Sequence, residues 1–149
     1  MSRVTWDDVR TARERIAPYA HRTPTWASST MDRLCGAHIA FKGENVQRTG
    51  SFKFRGAVNA VAGLRPEQRA RGVLTHSSGN HAQALALAAS LHDTAAHIVM
   101  PSNAPDIKRR AVAGYGGRIT LCPPTHQGRV ETADAVERVA ERGDIHTAP

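Results

Sequence analysis

Aromatic side chains are scarce, at 5% of 149 residues, and cysteine is scarcer, with two. Cys35 and Cys122 form no CxxC pair, which leaves no disulfide framework and no thiolate metal site to expect. Each reads as a small, apolar, buried or half-buried residue. No apolar run approaches the ~18 residues needed to cross a bilayer. The first residues, from Met1 to Asp8, contain no apolar signal region. The expectation is therefore a cytoplasmic chain that binds no membrane. Also missing are GxGxxG, GxxxxGK[ST], helix-turn-helix, zinc-finger and RNA-sheet motifs. A net charge of +7 could mark nucleic acid or an anionic substrate. With scattered Arg and Lys and few rings to stack on bases, a basic surface without nucleic acid is the expectation. The one basic triplet, Lys108-Arg109-Arg110, follows Pro105 at a helix start and reads as a solvated face. His76 and His81 are five apart across a turn, which is not the spacing of a helical metal pair, so no metal is expected.

What the chain does have suits a globular domain. Its length fits one domain, or a small domain plus part of another. The apolar fraction of 40% can supply a core, and 22% charge argues against bulk disorder. A first helix begins at a Thr5 cap, with Asp7 and Asp8 at its positive end and Val9, Ala12 and Ile16 on one face. Pro18 and Pro24 end that pattern, and 23–25 reads as extended chain. A short strand is predicted over 38–42 and a helix over 51–64, with Phe52, Ala57, Val58, Ala60 and Val61 as its apolar positions. Pro66 marks a connection. A βα rhythm follows: strands over 72–76, 97–100 and 118–122, and helices over 80–91, 105–113 and 129–142. The last helix carries Val130, Ala133, Val136 and Ala140 on one side. Strands separated by helices imply right-handed crossovers and a parallel sheet, hence an α/β fold. No repeat or low-complexity run interrupts it, and the chain stops at 145–149 without a closing element.

Two polar turns carry the chemistry. Residues 77–81, Ser-Ser-Gly-Asn-His, lie between a predicted strand and a predicted helix. Ligands bind at the carboxyl ends of parallel strands, where helix N-terminal amides receive carboxylates and phosphates. Ser77 and Ser78 add hydroxyls, Gly79 permits close approach, and Asn80 offers a donor and an acceptor. The competing explanation is a well-capped helix, since Ser and Asn are favoured caps. The second turn, within 47–57, places Lys53 where an extended segment ends and a helix begins. Most lysines are plain surface charges. Here Phe52 and Phe54 could shield the amine and Arg55 lies two residues on. Desolvation and a neighbouring cation both favour the neutral, nucleophilic form. One lysine amine with one anion-binding turn is the minimal equipment of an aldehyde-cofactor enzyme.

Together the turns resemble a family. Gln47-x-Thr49-Gly50-Ser51-Phe52-Lys53-x-Arg55-Gly56-Ala57 looks like the lysine signature of fold-type II pyridoxal-phosphate enzymes. Ser77-Ser78-Gly79-Asn80-His81-Ala82-Gln83 looks like their substrate loop, and Pro101-x3-Pro105-x2-Lys108 and Tyr115-Gly116 also match. The nearest branch is that of threonine/serine dehydratases and serine racemases, and the Ser77-Ser78 pair leans toward the racemases. The resemblance implies that Lys53 holds pyridoxal 5'-phosphate covalently and then acts as base on the substrate Cα proton. Phe52 would pack beside the ring and Asn80 would hydrogen-bond its 3′ oxygen. Ser77, Ser78, Asn80 and His81 would bind the amino acid carboxylate, and Ser78 would be the opposite-face acid/base in racemisation. A β-hydroxy amino acid such as threonine or serine would leave as a 2-oxo acid and ammonia.

The family's chains are about twice this length. By resemblance, 1–62 is the N-terminal part of a large cofactor domain and 63–149 a three-layer small α/β domain. The glycine-rich phosphate loop, the residue contacting the pyridine nitrogen and the divalent-cation site are expected downstream, in the remainder of the large domain. A homo-oligomer, or completion by that second half, is the expected assembly. Three readings compete: part of a dehydratase or racemase, a split enzyme completed by another chain, and a non-catalytic amino-acid or anion-binding module using only the 77–81 turn.

Overall fold

The structure is a computed structural model that describes residues 3–141. The predicted helix end at 142 and the stop at 145–149 lie outside the described residues. Helix α1 (Trp6–Ile16) starts at Thr5, whose Oγ1 accepts from the Asp8 N–H at 3.3 Å. The Asp8 carboxylate accepts in return from the Thr5 N–H at 2.8 Å, a reciprocal cap. The Thr5 hydroxyl also donates to that carboxylate at 2.7 Å, and this bond first, then the Thr5 N–H, holds the Asp8 carboxyl below its ordinary range. Ala12 and Ile16 are half-buried as the periodicity predicts, while Val9 stays exposed.

Strands β1 (Thr25–Ala27) and β2 (Ala40–Lys42) pair antiparallel, with Trp26 opposite Phe41. The β2 strand is shorter than predicted. Between them runs α2 (Ser29–Cys35), which the periodicity did not show because it is two turns long and buries no residue. Ser28 caps it, and Gly36 closes it in the left-handed region. Two 3-10 turns, Glu44–Val46 and Arg48–Gly50, lead to α3 (Lys53–Ala62). That helix starts two residues later than predicted, and its inward face is Phe54, Ala57, Val58 and Val61. Phe52 and Ala60, expected inside, are exposed. The half-turn that positions Lys53 at the first helical residue turns Phe54 inward instead.

A short helix α4 (Pro66–Ala70), started by its proline, stands where a plain connection was expected. Then β3 (Val73–His76), α5 (Asn80–Ser90), β4 (Ala96–Pro101), α6 (Asp106–Gly114), β5 (Arg118–Cys122) and α7 (His126–Glu141) follow in the predicted order. The sheet order is β3-β4-β5, all parallel. All six residues of β4 are buried, as a central parallel strand covered on both faces requires. Ala96, Ile98 and Met100 face the cluster formed with α3, α5 and Val112 of α6. Val99 packs on the other face with Cys122 and Ala133 of α7. This is the expected three-layer α/β arrangement.

Helix α5 is enclosed by the sheet on one side and α3 on the other, so Ala82, Ala84, Leu85, Ala86, Ala88 and Ala89 are all buried. A helix apolar around most of its circumference is a core helix, and alanines let both neighbours approach closely. The α3–α5 packing joins one cluster across the expected division at 62/63.

Candidate functional site

The sheet delivers one half of the site. Beyond His76 the chain stays tied to β4 through the Ser77 N–H, which donates to the Val99 carbonyl at 3.0 Å. Ser77 Oγ accepts from the Gly79 N–H at 3.3 Å, closing a tight turn before α5. The N-cap of α5 is Gly79, and no side chain caps the helix. This separates the two explanations of the Ser/Asn cluster. Ser77, Ser78 and Asn80 do not satisfy the first amides of α5, so those N–H groups and the positive end of the helix dipole remain available to an anion. A Cβ built on Gly79 would meet nothing within 4 Å. The protein itself leaves the space beside that glycine empty.

The other half is the lysine turn. Thr49 (φ 59°) and Gly50 (φ 71°) both lie in the left-handed region, which glycine adopts freely and threonine does not. Ser51 returns to extended backbone, and α3 begins at Lys53 with no side-chain cap. The Arg48–Gly50 turn packs against α5, the helix that the 77–81 turn leads into. Lys53 is exposed, its Nζ 5.0 Å from the Phe52 ring centroid. Burial, and next the charge of Lys53, push the His81 imidazole below its ordinary value of 6.5. Lys53 is thus within electrostatic reach of the first turn of α5. Ser51 is 7% exposed, and its Oγ, like Thr49 Oγ1, is buried without a partner.

The structure corrects one part of the activation argument for Lys53. Phe54 is fully buried in the core and shields nothing at the amine, while Phe52 is 59% exposed. Arg55 is not a free cation beside the lysine. Its Nε and an Nη atom donate to Glu44 Oε2 at 2.9 Å and Oε1 at 2.7 Å. That contact holds the Glu44 carboxyl below its ordinary range and raises the guanidinium. Glu44 carried no signal in the sequence, because its partner is eleven residues away and nothing local marks the pair.

Two cavities among the described residues are lined by neither Lys53 nor the 77–81 turn. One of about 330 Å³ opens at the amino ends of β3 and β4, beneath Val136 and Glu137 of α7. Another of about 500 Å³ lies between the end of α1 and Lys42 and Arg55. Among the described residues no cluster of three His, Cys, Asp or Glu side chains suits a metal ion. No helix among them is long and apolar enough to cross a membrane.

Residues 16–149 match the family described as pyridoxal-phosphate dependent enzyme. A beta-hydroxyaspartate dehydratase of Paracoccus denitrificans is 48% identical over 145 residues, 97% of this chain and 45% of that protein. A serine racemase of Dictyostelium discoideum is 45% identical over 129 residues, 87% of this chain and 40% of that one. The solved structure of maize serine racemase superposes with a TM-score of 0.87 at 45% identity, covering 91% of this chain and 41% of the other. The chain therefore spans less than half the length of the relatives it matches.

Proposed function

The chain belongs to the pyridoxal-phosphate dependent enzyme family, and from that premise we propose that it carries the lysine-bearing part of an enzyme that dehydrates and deaminates a β-hydroxy amino acid. The observation that carries this reading is the juxtaposition of Lys53, at the start of one uncapped helix, with the open N-terminus of another. The residues present fit the cofactor. The space beside Gly79 is open, two hydroxyls in the lysine turn lack partners, and the Lys53 amine is accessible and close enough to α5 for its charge to act on His81.

Pyridoxal phosphate, when bound, supplies an electron sink adjacent to the amino acid Cα. Lys53 would hold it through Nζ and, once the substrate amino group has taken over that bond, the freed Nζ would accept the Cα proton. Phe52 would pack beside the ring and Asn80 would hydrogen-bond its 3′ oxygen. Ser77, Ser78, Asn80 and His81 orient the substrate carboxylate at the amides of α5, where the helix dipole favours an anion. Burial, and next the charge of Lys53, favour the neutral form of the His81 imidazole. Loss of the Cα proton and the β-hydroxyl releases water, and hydrolysis of the resulting enamine gives a 2-oxo acid and ammonia. Residues 63–149 are the small domain in this reading, and 1–62 belong to a larger one.

Two relatives sharpen the substrate. The Paracoccus protein and an L-threo-3-hydroxyaspartate ammonia-lyase of Saccharomyces cerevisiae, 53% identical over 115 residues, both act on hydroxyaspartate by their names. Hydroxyaspartate therefore stands beside threonine and serine as a candidate. Racemisation is the second reading, favoured by the Ser77-Ser78 pair and by the serine racemases among the relatives. There Ser78 exchanges a proton on the face opposite Lys53.

The test is borohydride reduction of the chain with added pyridoxal phosphate, followed by peptide mass mapping. The sequence holds three lysines, Lys42, Lys53 and Lys108, so the map is simple. A reduced adduct concentrated on Lys53 and lost in Lys53→Ala supports the reading. An adduct shared evenly among the three overturns it.

A further inference from the structure

Lys53 sits in a backbone turn that is costly to form, and the network around it contains no group that the chemistry above uses. Gln47 is 4% exposed. Its Oε1 accepts from the backbone N–H of His21 and of Arg48, both at 2.9 Å, and its Nε2 donates to the His21 carbonyl at 2.9 Å. On the far side of the lysine, the Arg55 guanidinium donates to the same His21 carbonyl at 3.1 Å and to Thr23 Oγ1 at 3.4 Å. Glu44 fixes that guanidinium by two bonds and accepts from Thr23 Oγ1 at 2.7 Å. Lys42 Nζ donates to the Thr23 carbonyl at 2.7 Å. The lysine turn is thus tied at both flanks, six residues before Lys53 and two after, to one short segment, 21–23.

We propose that Gln47 and Arg55 are positioning residues for Lys53, acting through their shared anchor on the His21 carbonyl, with Glu44 setting the orientation of Arg55. The backbone supplies the physical reason. Thr49 in the left-handed region persists only where its surroundings over-determine it. Gln47 over-determines it from one side, binding the Arg48 N–H through its side chain while its carbonyl accepts from the Gly50 N–H at 2.8 Å. Arg55 does so from the other, since the orientation of the first turn of α3 sets where Nζ points. Arg55 is suited by its planar fork, which engages Glu44 through two nitrogens while still reaching a carbonyl, a set of bonds one ammonium cannot reproduce. Lysine chemistry with a bound aldehyde depends on placement within about an ångström, so slack at either flank is read out at Nζ.

This inference rests on the proposed role of Lys53, and its test separates the two. Gln47→Leu, Glu44→Gln and Arg55→Lys are compared with wild type and with Arg110→Gln, a control on the exposed side of α6. Three quantities are measured on each folded chain. They are the share of borohydride-trapped pyridoxal phosphate on Lys53 against Lys42 and Lys108, the relative rate of Lys53 acetylation by an activated ester, and amide hydrogen exchange in 47–55 against β4. The expected result is a loss of Lys53 selectivity of about tenfold or more, with faster exchange in 47–55 and unchanged protection in β4. A role in stability alone would lower the melting temperature while leaving selectivity intact, and that result overturns the proposal. If wild type traps nothing selectively at Lys53, the cofactor role of the lysine fails. The brace then stands or falls on whether acetylation of Lys53 and exchange in 47–55 change together.

Discussion

The two phenylalanines that flank Lys53, at 52 and 54, look alike in the sequence and do opposite things. Phe54 is completely buried among α3, α5 and the sheet, whereas Phe52 is 59% exposed beside the lysine amine. Truncating Phe54 removes a filled core volume. Phe54→Ala is expected to lower stability by about 3–5 kcal/mol in urea unfolding. Phe52→Ala should cost about 0.5 kcal/mol or less, and its effect should appear in trapping of pyridoxal phosphate. Equal losses of stability would show that the inward and outward assignments are wrong. The residues with recognisable chemistry, Lys53 and 77–81, were legible because their spacing and types are specific. Their supports were not. Glu44 pairs with Arg55 and Gln47 reads the backbone of His21, and such partners are set by how segments distant in sequence meet.

Among the elements, the β3-β4-β5 sheet and its helices were readable because each strand is a short apolar run and each helix has a clear period or an alanine-rich core face. The misses were α2 and α4, at seven and five residues, too short for periodicity to show. The central strand β4 carries a liability its sequence does not advertise. His97 is 7% exposed on the α7 side, and burial, then the charge of Arg118 across the β4–β5 register, lower its pKa. In the unfolded chain the imidazole binds its proton near the ordinary 6.5, while the folded sheet resists it. Stability is therefore intact above that pH and falls as pH drops below it, with a slope of at most about 1.4 kcal/mol per pH unit for one proton. His92, against the Tyr19 ring at 4.7 Å, and His81 shift in the same direction. Denaturant midpoints measured from about pH 7.5 to 5 should decline toward acid, and His97→Gln should flatten part of that decline. A profile unchanged by the substitution would remove His97 from the account.

For the molecule, burial is uneven. The C-terminal sheet is covered on both faces, but β1 and β2 are exposed along their whole length. Trp6 is 78% and Leu34 76% exposed, and Trp26, Phe41 and Val46 are also uncovered. A two-stranded ribbon has little stability of its own. This one is held by the Arg55–Glu44 tie and by the Gly43 N–H, which donates to the Pro24 carbonyl at 2.9 Å. Such a surface favours association. Sedimentation of this 149-residue chain is expected to show concentration-dependent self-association, reduced by Leu34→Asp. A monomer at all concentrations would reject that expectation.

The sequence by itself determined the α/β order of elements, the parallel sheet, the family and the two turns, because hydrophobic period, glycine placement and motif spacing are local quantities. The tertiary structure alone decided that the 77–81 hydroxyls leave the α5 amides free. It also turned Arg55 away from Lys53 toward Glu44 and placed both flanks of the lysine on one carbonyl. Those outcomes depend on which distant backbone groups come within hydrogen-bond distance, and packing of the whole chain sets that.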